Sequence, residues 1–103
     1  MVARGAILWL ELELEGRRPV CVLTRDEAIP NLRNIVVALV TSRKRGLASE
    51  VAIGPDDGMP QECVVTLDNL RTSPKAQLIE PITKLGAERM DEVCRALNNA
   101  AGC

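Results

Sequence analysis

Gly16-Arg17-Arg18-Pro19-Val20-Cys21-Val22-Leu23 and, further along, Val37-Ala38-Leu39-Val40-Thr41-Ser42 decide the fold. Both stretches are short, apolar and rich in β-branched residues, which marks buried strands rather than helices. Pro19 suits a strand start, where its missing N–H costs no ladder hydrogen bond. Strand alternation sends Arg17 and Arg18 to opposite faces. A fixed cation therefore stands at the beginning of one strand and a hydroxyl at the end of another.

Working outward, residues 6 to 15 alternate strictly. Leu8, Leu10, Leu12 and Leu14 fall on one face, and Trp9, Glu11, Glu13 and Glu15 on the other. That period predicts a half-buried strand. A short turn at Gly16 and Arg17 leads to a second strand at 19 to 25, and residues 35 to 42 form a third. After the basic turn Arg43-Lys44-Arg45-Gly46, residues 48 to 53 alternate as a fourth. Gly54-Pro55-Asp56-Asp57-Gly58 is a turn. Residues 63 to 70 form a fifth strand, 71 to 75 a loop around Ser73-Pro74, and 78 to 84 an edge strand demoted by Pro81. Met90, Val93, Cys94 and Leu97 recur at helical spacing, so residues 87 to 99 are predicted helical, with Gly102 just past the end. Short strands with one terminal helix predict a mainly β, α+β domain: a small, strongly bent antiparallel sheet or half-barrel covered by a C-terminal helix.

A chain of 103 residues holds one core, so residues 1 to 103 are read as a single domain. No apolar run approaches the roughly 20 residues that span a bilayer. The N-terminal strand is broken by glutamates and lacks a cleavage-like site, so no signal peptide and a cytoplasmic location are expected. There is no histidine and no CxxC among the four cysteines, so no metal centre is expected. Cys21, Cys63 and Cys94 are expected to be small buried hydrophobes, and Cys103 an exposed terminal thiol.

The overall charge of −1 hides an asymmetry. Residues 17 to 45 carry Arg17, Arg18, Arg25, Arg33, Arg43, Lys44 and Arg45 against Asp26 and Glu27, a local excess of +5. An anionic ligand would be drawn to this segment, although an ordinary solvated face has the same composition.

These residues resemble the MazF/PemK/Kid family of toxin endoribonucleases. Arg18-Pro19 entering a strand and Thr41-Ser42 ending one are similar to the two central motifs of that family. Arg4-Gly5-Ala6-Ile7-Leu8-Trp9 resembles its opening strand, and the segment from Gly58-Met59-Pro60 through Cys63-Val64-Val65 to Asp68-Asn69-Leu70-Arg71-Thr72 resembles its fifth-strand motif. Ile82-Thr83-Lys84-Leu85 stands where the family has its final strand before a helix.

The resemblance implies a barrel of the CcdB/Kid/PemK type. It further implies a type II toxin that cuts single-stranded RNA without metal or cofactor, works as a homodimer and is silenced by an acidic MazE-like antitoxin. In that scheme Arg18 neutralises the phosphorane and Thr41 donates to a phosphate oxygen. Arg17, Ser42, Arg43, Lys44 and Arg45 are candidate RNA contacts. The loop between the first two strands is short, and the acid/base candidates are Glu15 (or Glu13) and Asp68. The favoured role of Asp68 is nonetheless a structural hydrogen bond to backbone or Arg71, and that of Trp9 a wall of the core or dimer interface. Two other readings stay open: a CcdB-like poison that binds a protein, and a degenerate nuclease that retains only antitoxin binding.

Overall fold

The computed structural model describes residues 2–103. Its elements are β1 (Ala6–Leu12), β2 (Gly16–Val22), β3 (Asn34–Thr41), β4 (Glu50–Ile53), β5 (Cys63–Pro74), β6 (Leu78–Lys84) and α1 (Ala87–Ala101). The strands form one six-stranded sheet in the order β4-β5-β3-β2-β1-β6, and every neighbouring pair is antiparallel. The bent sheet with a C-terminal helix is the architecture expected from the sequence.

The inner strands bury residues on both faces. Ile7, Cys21, Ala38 and Val65 face α1 and meet Met90, Val93 and Ala96. Leu8, Leu10, Val20 and Val37 face the other way and meet Ile29, from a single 3-10 turn, and Leu78 of β6. Double-sided burial explains why β2 and β3 read as continuous apolar runs. Each such aliphatic side chain contributes about 1.5–3 kcal/mol through burial. Pro81 sits on edge strand β6 opposite Leu8, where register shifts interrupt the pairing with β1, consistent with its missing donor.

Several boundaries differ from expectation. The strand predicted over residues 6 to 15 stops at Leu12, and Leu14 is 99% exposed, because the hairpin turns before the alternation ends. The second strand starts at Gly16 and stops at Val22; beyond it the Thr24 hydroxyl takes the Val36 N–H at 2.8 Å in place of a ladder bond. β5 runs through the predicted loop to Pro74, since Asn34–Val36 of β3 continue to pair with it and bury Ser73 opposite Ile35. Cys94 is exposed rather than buried. The buried stripe of α1 passes through Met90, Val93 and Ala96 instead, and Arg4 Nη2 donates to Cys94 Sγ at 3.1 Å.

Candidate functional site

Residues directly opposite in an antiparallel pair share a face. Leu10 stands opposite Arg18, Val20 opposite Leu39, and Leu39 opposite Thr66. Arg18, Leu39, Thr41 and Thr66 therefore share the face away from α1. The β2–β3 ladder ends at Val20 and Leu39. Extending that register by two residues sets Arg18 across from Thr41, at the place where the strands part. A recess of about 200 Å³ opens there, with Arg18, Thr41, Arg43, Arg45, Thr66 and Asn69 around a floor of Leu39 and Val40.

Every charged side chain lining this recess is a guanidinium. Arginine cannot lose its proton near neutral pH, and its planar fork matches a pair of phosphate oxygens. Among the described residues, Arg18 and Arg43 make no ion pair. Thr41 Oγ1 accepts the Arg43 N–H at 3.2 Å, which leaves the hydroxyl proton to be donated elsewhere.

The loop after β3 is held by one carboxylate. Glu50, whose side chain is 4% exposed, accepts the N–H groups of Arg45 and Gly46 at 3.0 Å and of Leu47 at 3.4 Å, and pairs with Arg45 Nε at 3.3 Å. These bonds, the Arg45 amide foremost, hold its carboxyl below the usual range despite the opposing effect of burial. Arg45 is thereby fixed at the rim of the recess.

The remaining candidates are dispersed. Arg17 lies on the opposite face, 3.1 Å from Glu80 and 5.3 Å from the Trp9 ring centre. Arg17 and Arg18 diverge as strand alternation requires. Ser42 lines a second recess of about 80 Å³ on the helix side, with Trp9, Pro19, Met59, Pro60 and Ile82. Lys44 lies 3.8 Å from Glu62.

Glu15 reaches Arg71 at 3.7 Å. Arg71 stands opposite Val37, on the face that carries Arg18. Asp68 is exposed and accepts the Ser49 hydroxyl. It sits near Leu97 and Ala100 of α1 and outside the Arg18 recess; its partner is neither backbone nor Arg71.

Thr66, Asn69 and Glu50 complete the site and were not identified from the sequence. The β3–β5 register jumps between Leu39 opposite Thr66 and Ala38 opposite Leu70, so residues 67–69 bulge and Asn69 reaches the recess. Thr66 is 1% exposed, and its hydroxyl has no hydrogen-bond partner among the described residues. An unpaired buried hydroxyl costs roughly 1–3 kcal/mol. The available signal was a threonine inside the otherwise apolar run from Cys63 to Leu67.

A curled six-stranded sheet that gathers cationic and hydroxyl donors where two strands part defines a small β-rich protein equipped to hold an anion. The model of the PemK-like, MazF-like toxin of type II toxin-antitoxin system matches residues 3–100, and the chain belongs to that family. It is 44% identical over 102 residues to the "Probable endoribonuclease MazF5" of Mycobacterium tuberculosis, covering 98% of this chain and 94% of that one. Among solved structures it is similar to the Mycobacterium tuberculosis toxin MazF-mt6, with TM-score 0.87, 36% identity, and 94% and 96% of the two chains covered. It is also similar to the MazE-MazF structure from Deinococcus radiodurans, with TM-score 0.80, 26% identity, and 98% and 95% covered.

Proposed function

We propose that this toxin is an endoribonuclease that cuts single-stranded RNA without a metal ion, leaving 2′,3′-cyclic phosphate and 5′-hydroxyl ends. The observation that carries the reading is the convergence of Arg18 and Thr41 in one recess rimmed by Arg43 and Arg45. In the reaction the ribose 2′-oxygen forms a bond to phosphorus and the bond to the 5′-oxygen breaks. The 2′ proton passes to a carboxylate, and the leaving oxygen takes a proton from water while the Arg18 guanidinium holds it by a hydrogen bond. Arg18 also neutralises the charge that builds on the phosphorane, while the free proton of Thr41 bonds a non-bridging oxygen. Each preorganised donor lowers the barrier by about 3 kcal/mol. Among the acidic candidates, Glu15 is drawn by Arg71 onto the face of Arg18, whereas Asp68 is engaged by Ser49. Glu15 is therefore the better-placed base. DNA lacks the nucleophile and is not cut.

The same reading makes the protein a cytoplasmic homodimer inhibited by a MazE-like antitoxin whose acidic segment competes with RNA for the cationic recess. Support comes from the excess of positive charge over residues 17–45 and from the similarity to the MazE-MazF structure from Deinococcus radiodurans. No helix among the described residues is long and apolar enough to cross a membrane.

The test is cleavage of a long single-stranded RNA in excess EDTA by the wild type and by Arg18→Ala, with product ends mapped. Selective cuts with cyclic-phosphate ends, lost in the variant, are expected. Intact RNA with both proteins would overturn the catalytic reading in favour of a binding role.

A further inference from the structure

The loop that follows β3 has no regular secondary structure, yet side chains hold its amides. Thr41 Oγ1 takes the N–H of Arg43, and Glu50 Oε1 takes those of Arg45, Gly46 and Leu47. Gly46, with φ of +72°, supplies the left-handed turn that lets successive amides converge on one oxygen. This backbone sorts the three cations. Lys44 turns to Glu62 at 3.8 Å, whereas Arg43 and Arg45 line the recess with Arg18.

Glu50 holds the Arg45 side chain by one edge only. Its Oε2 takes Nε at 3.3 Å, and among the described residues the Nη1 and Nη2 groups of Arg45 donate to no protein atom. The carboxylate is 4% exposed and the arginine side chain 48%. A buried acceptor therefore grips a half-exposed guanidinium at its base and leaves the outer fork unused. Such a fork matches two oxygens of one phosphate. Arg18 and Thr41 already serve the phosphate that is cut, so the fork of Arg45 falls to another phosphate of the same strand.

Building on the nuclease reading above, we infer that Glu50 is a positioning residue for RNA binding: it fixes the loop and presents the outer fork of Arg45 to a backbone phosphate next to the one held by Arg18 and Thr41. Glu50 itself touches no substrate. Its effect is to order the clamp beforehand, so that binding does not have to immobilise a long side chain. A phosphate contact carries no base information, so the clamp strengthens binding at every cleavable site alike.

Steady-state cleavage of a short RNA by the wild type, Glu50→Gln, Arg45→Ala, Arg45→Lys and the pair Glu50→Gln with Arg45→Ala tests the assignment. Glu50→Gln removes one negative charge, so simple attraction of RNA would lower KM. Loss of positioning is expected to raise KM by roughly fivefold or more with kcat within about twofold of wild type. Structural damage alone would instead reduce the active fraction, lowering kcat at an unchanged KM. Arg45→Ala is expected to raise KM at least as far, and Glu50→Gln to add nothing to it, because the two act as one unit. Arg45→Lys keeps the charge without the fork and is expected to behave like alanine. Neutral methylphosphonates placed one at a time along the RNA should reveal a position beside the cut where the wild type loses affinity and Arg45→Ala does not.

An unchanged or lowered KM in Glu50→Gln would overturn the inference, as would a further rise in the paired variant. So would a wild-type KM in Arg45→Lys, or a methylphosphonate series in which wild type and Arg45→Ala respond alike. The last two measurements alter only a half-exposed side chain, so they decide the matter even where Glu50→Gln fails to fold. Wild-type protein that leaves RNA intact would instead remove the nuclease reading, and that outcome is visible before any variant is compared.

Discussion

Thr41 Oγ1 receives the backbone N–H of Arg43 at 3.2 Å, so the hydroxyl that faces Arg18 across the strand gap is oriented before any ligand arrives. An oriented donor needs no reorganisation as charge develops. Thr41→Val keeps the shape of the side chain but loses both bonds; kcat is expected to fall about 100-fold while folding is preserved. Thr41→Ser keeps the oxygen and is expected to retain most activity. Single-turnover cleavage of an RNA oligonucleotide separates the two, and an active valine variant would remove Thr41 from the mechanism.

Acid sensitivity follows from Glu50 and Asp57. Backbone N–H bonds from the loop hold the Glu50 carboxyl below its ordinary value of 4.5. The Arg89 side chain does the same for Asp57, ordinarily 3.8, and Glu92 joins it in keeping Arg89 protonated. Each group binds its proton more readily in the unfolded chain. Their stabilising effect is therefore complete above those ordinary values and is lost as pH falls through the lowered ones. Urea unfolding between neutral pH and pH 3 is expected to show stability declining at the acid end, with a shallower decline in Glu50→Gln. An unchanged slope in that variant would show that Glu50 does not carry the effect.

Gly58 closes the turn after Asp57 with φ of +89°, and a Cβ built there would stand 2.3 Å from Thr83 Oγ1. That hydroxyl donates to the Asp57 carbonyl at 2.8 Å. Gly58→Ala combines left-handed backbone strain with this collision and is expected to cost about 1–3 kcal/mol. In a domain of this size that lowers the melting midpoint by roughly 4–8 °C per kcal/mol, readable by calorimetry. A midpoint equal to wild type would show that Thr83 yields freely.

Thiol reactivity should divide the cysteines. Burial pushes the Cys21 thiol up to about 12, against a lesser opposing pull from Arg4. Cys63 is raised by burial and then by Glu62 and Asp57. Cys94 and Cys103 are exposed. Brief iodoacetamide treatment of the native protein is expected to modify Cys94 and Cys103 and spare the other two, with all four reacting after denaturation. Rapid native labelling of Cys21 would contradict the tight inner sheet.

The strand order was not written in any one motif, yet much of the fold was legible. Leu8, Leu10 and Leu12 alternate with Trp9, Glu11 and Glu13, Pro81 marks an edge, and Met90 and Val93 fix the buried side of α1. Legibility failed where a partner decides the outcome. Local turn signals ended β5 at Leu70, but its far half persists because Asn34–Val36 pair with it. Helical spacing favoured Cys94, yet Ala96 is buried beside Met90 and Val93 while Cys94 is exposed. Arg18 and Thr41 could be paired in advance through strand chemistry and family resemblance. Thr66 could not, because a threonine in an apolar strand reads as packing until its missing partner is seen.

Val20, Cys21, Val22, Val37 and Ala38 are packed on both sides of the sheet, so almost any change of volume there is paid for in stability. Inherited variation that leaves the toxin folded must then accumulate at the hairpin tip before Gly16, in the basic loop after β3 and in the turn around Gly58. Of these, the basic loop carries Arg43 and Arg45 at the rim of the recess. Lineages that share this sheet can diverge in which RNA they select while the groups proposed to break the bond stay in register.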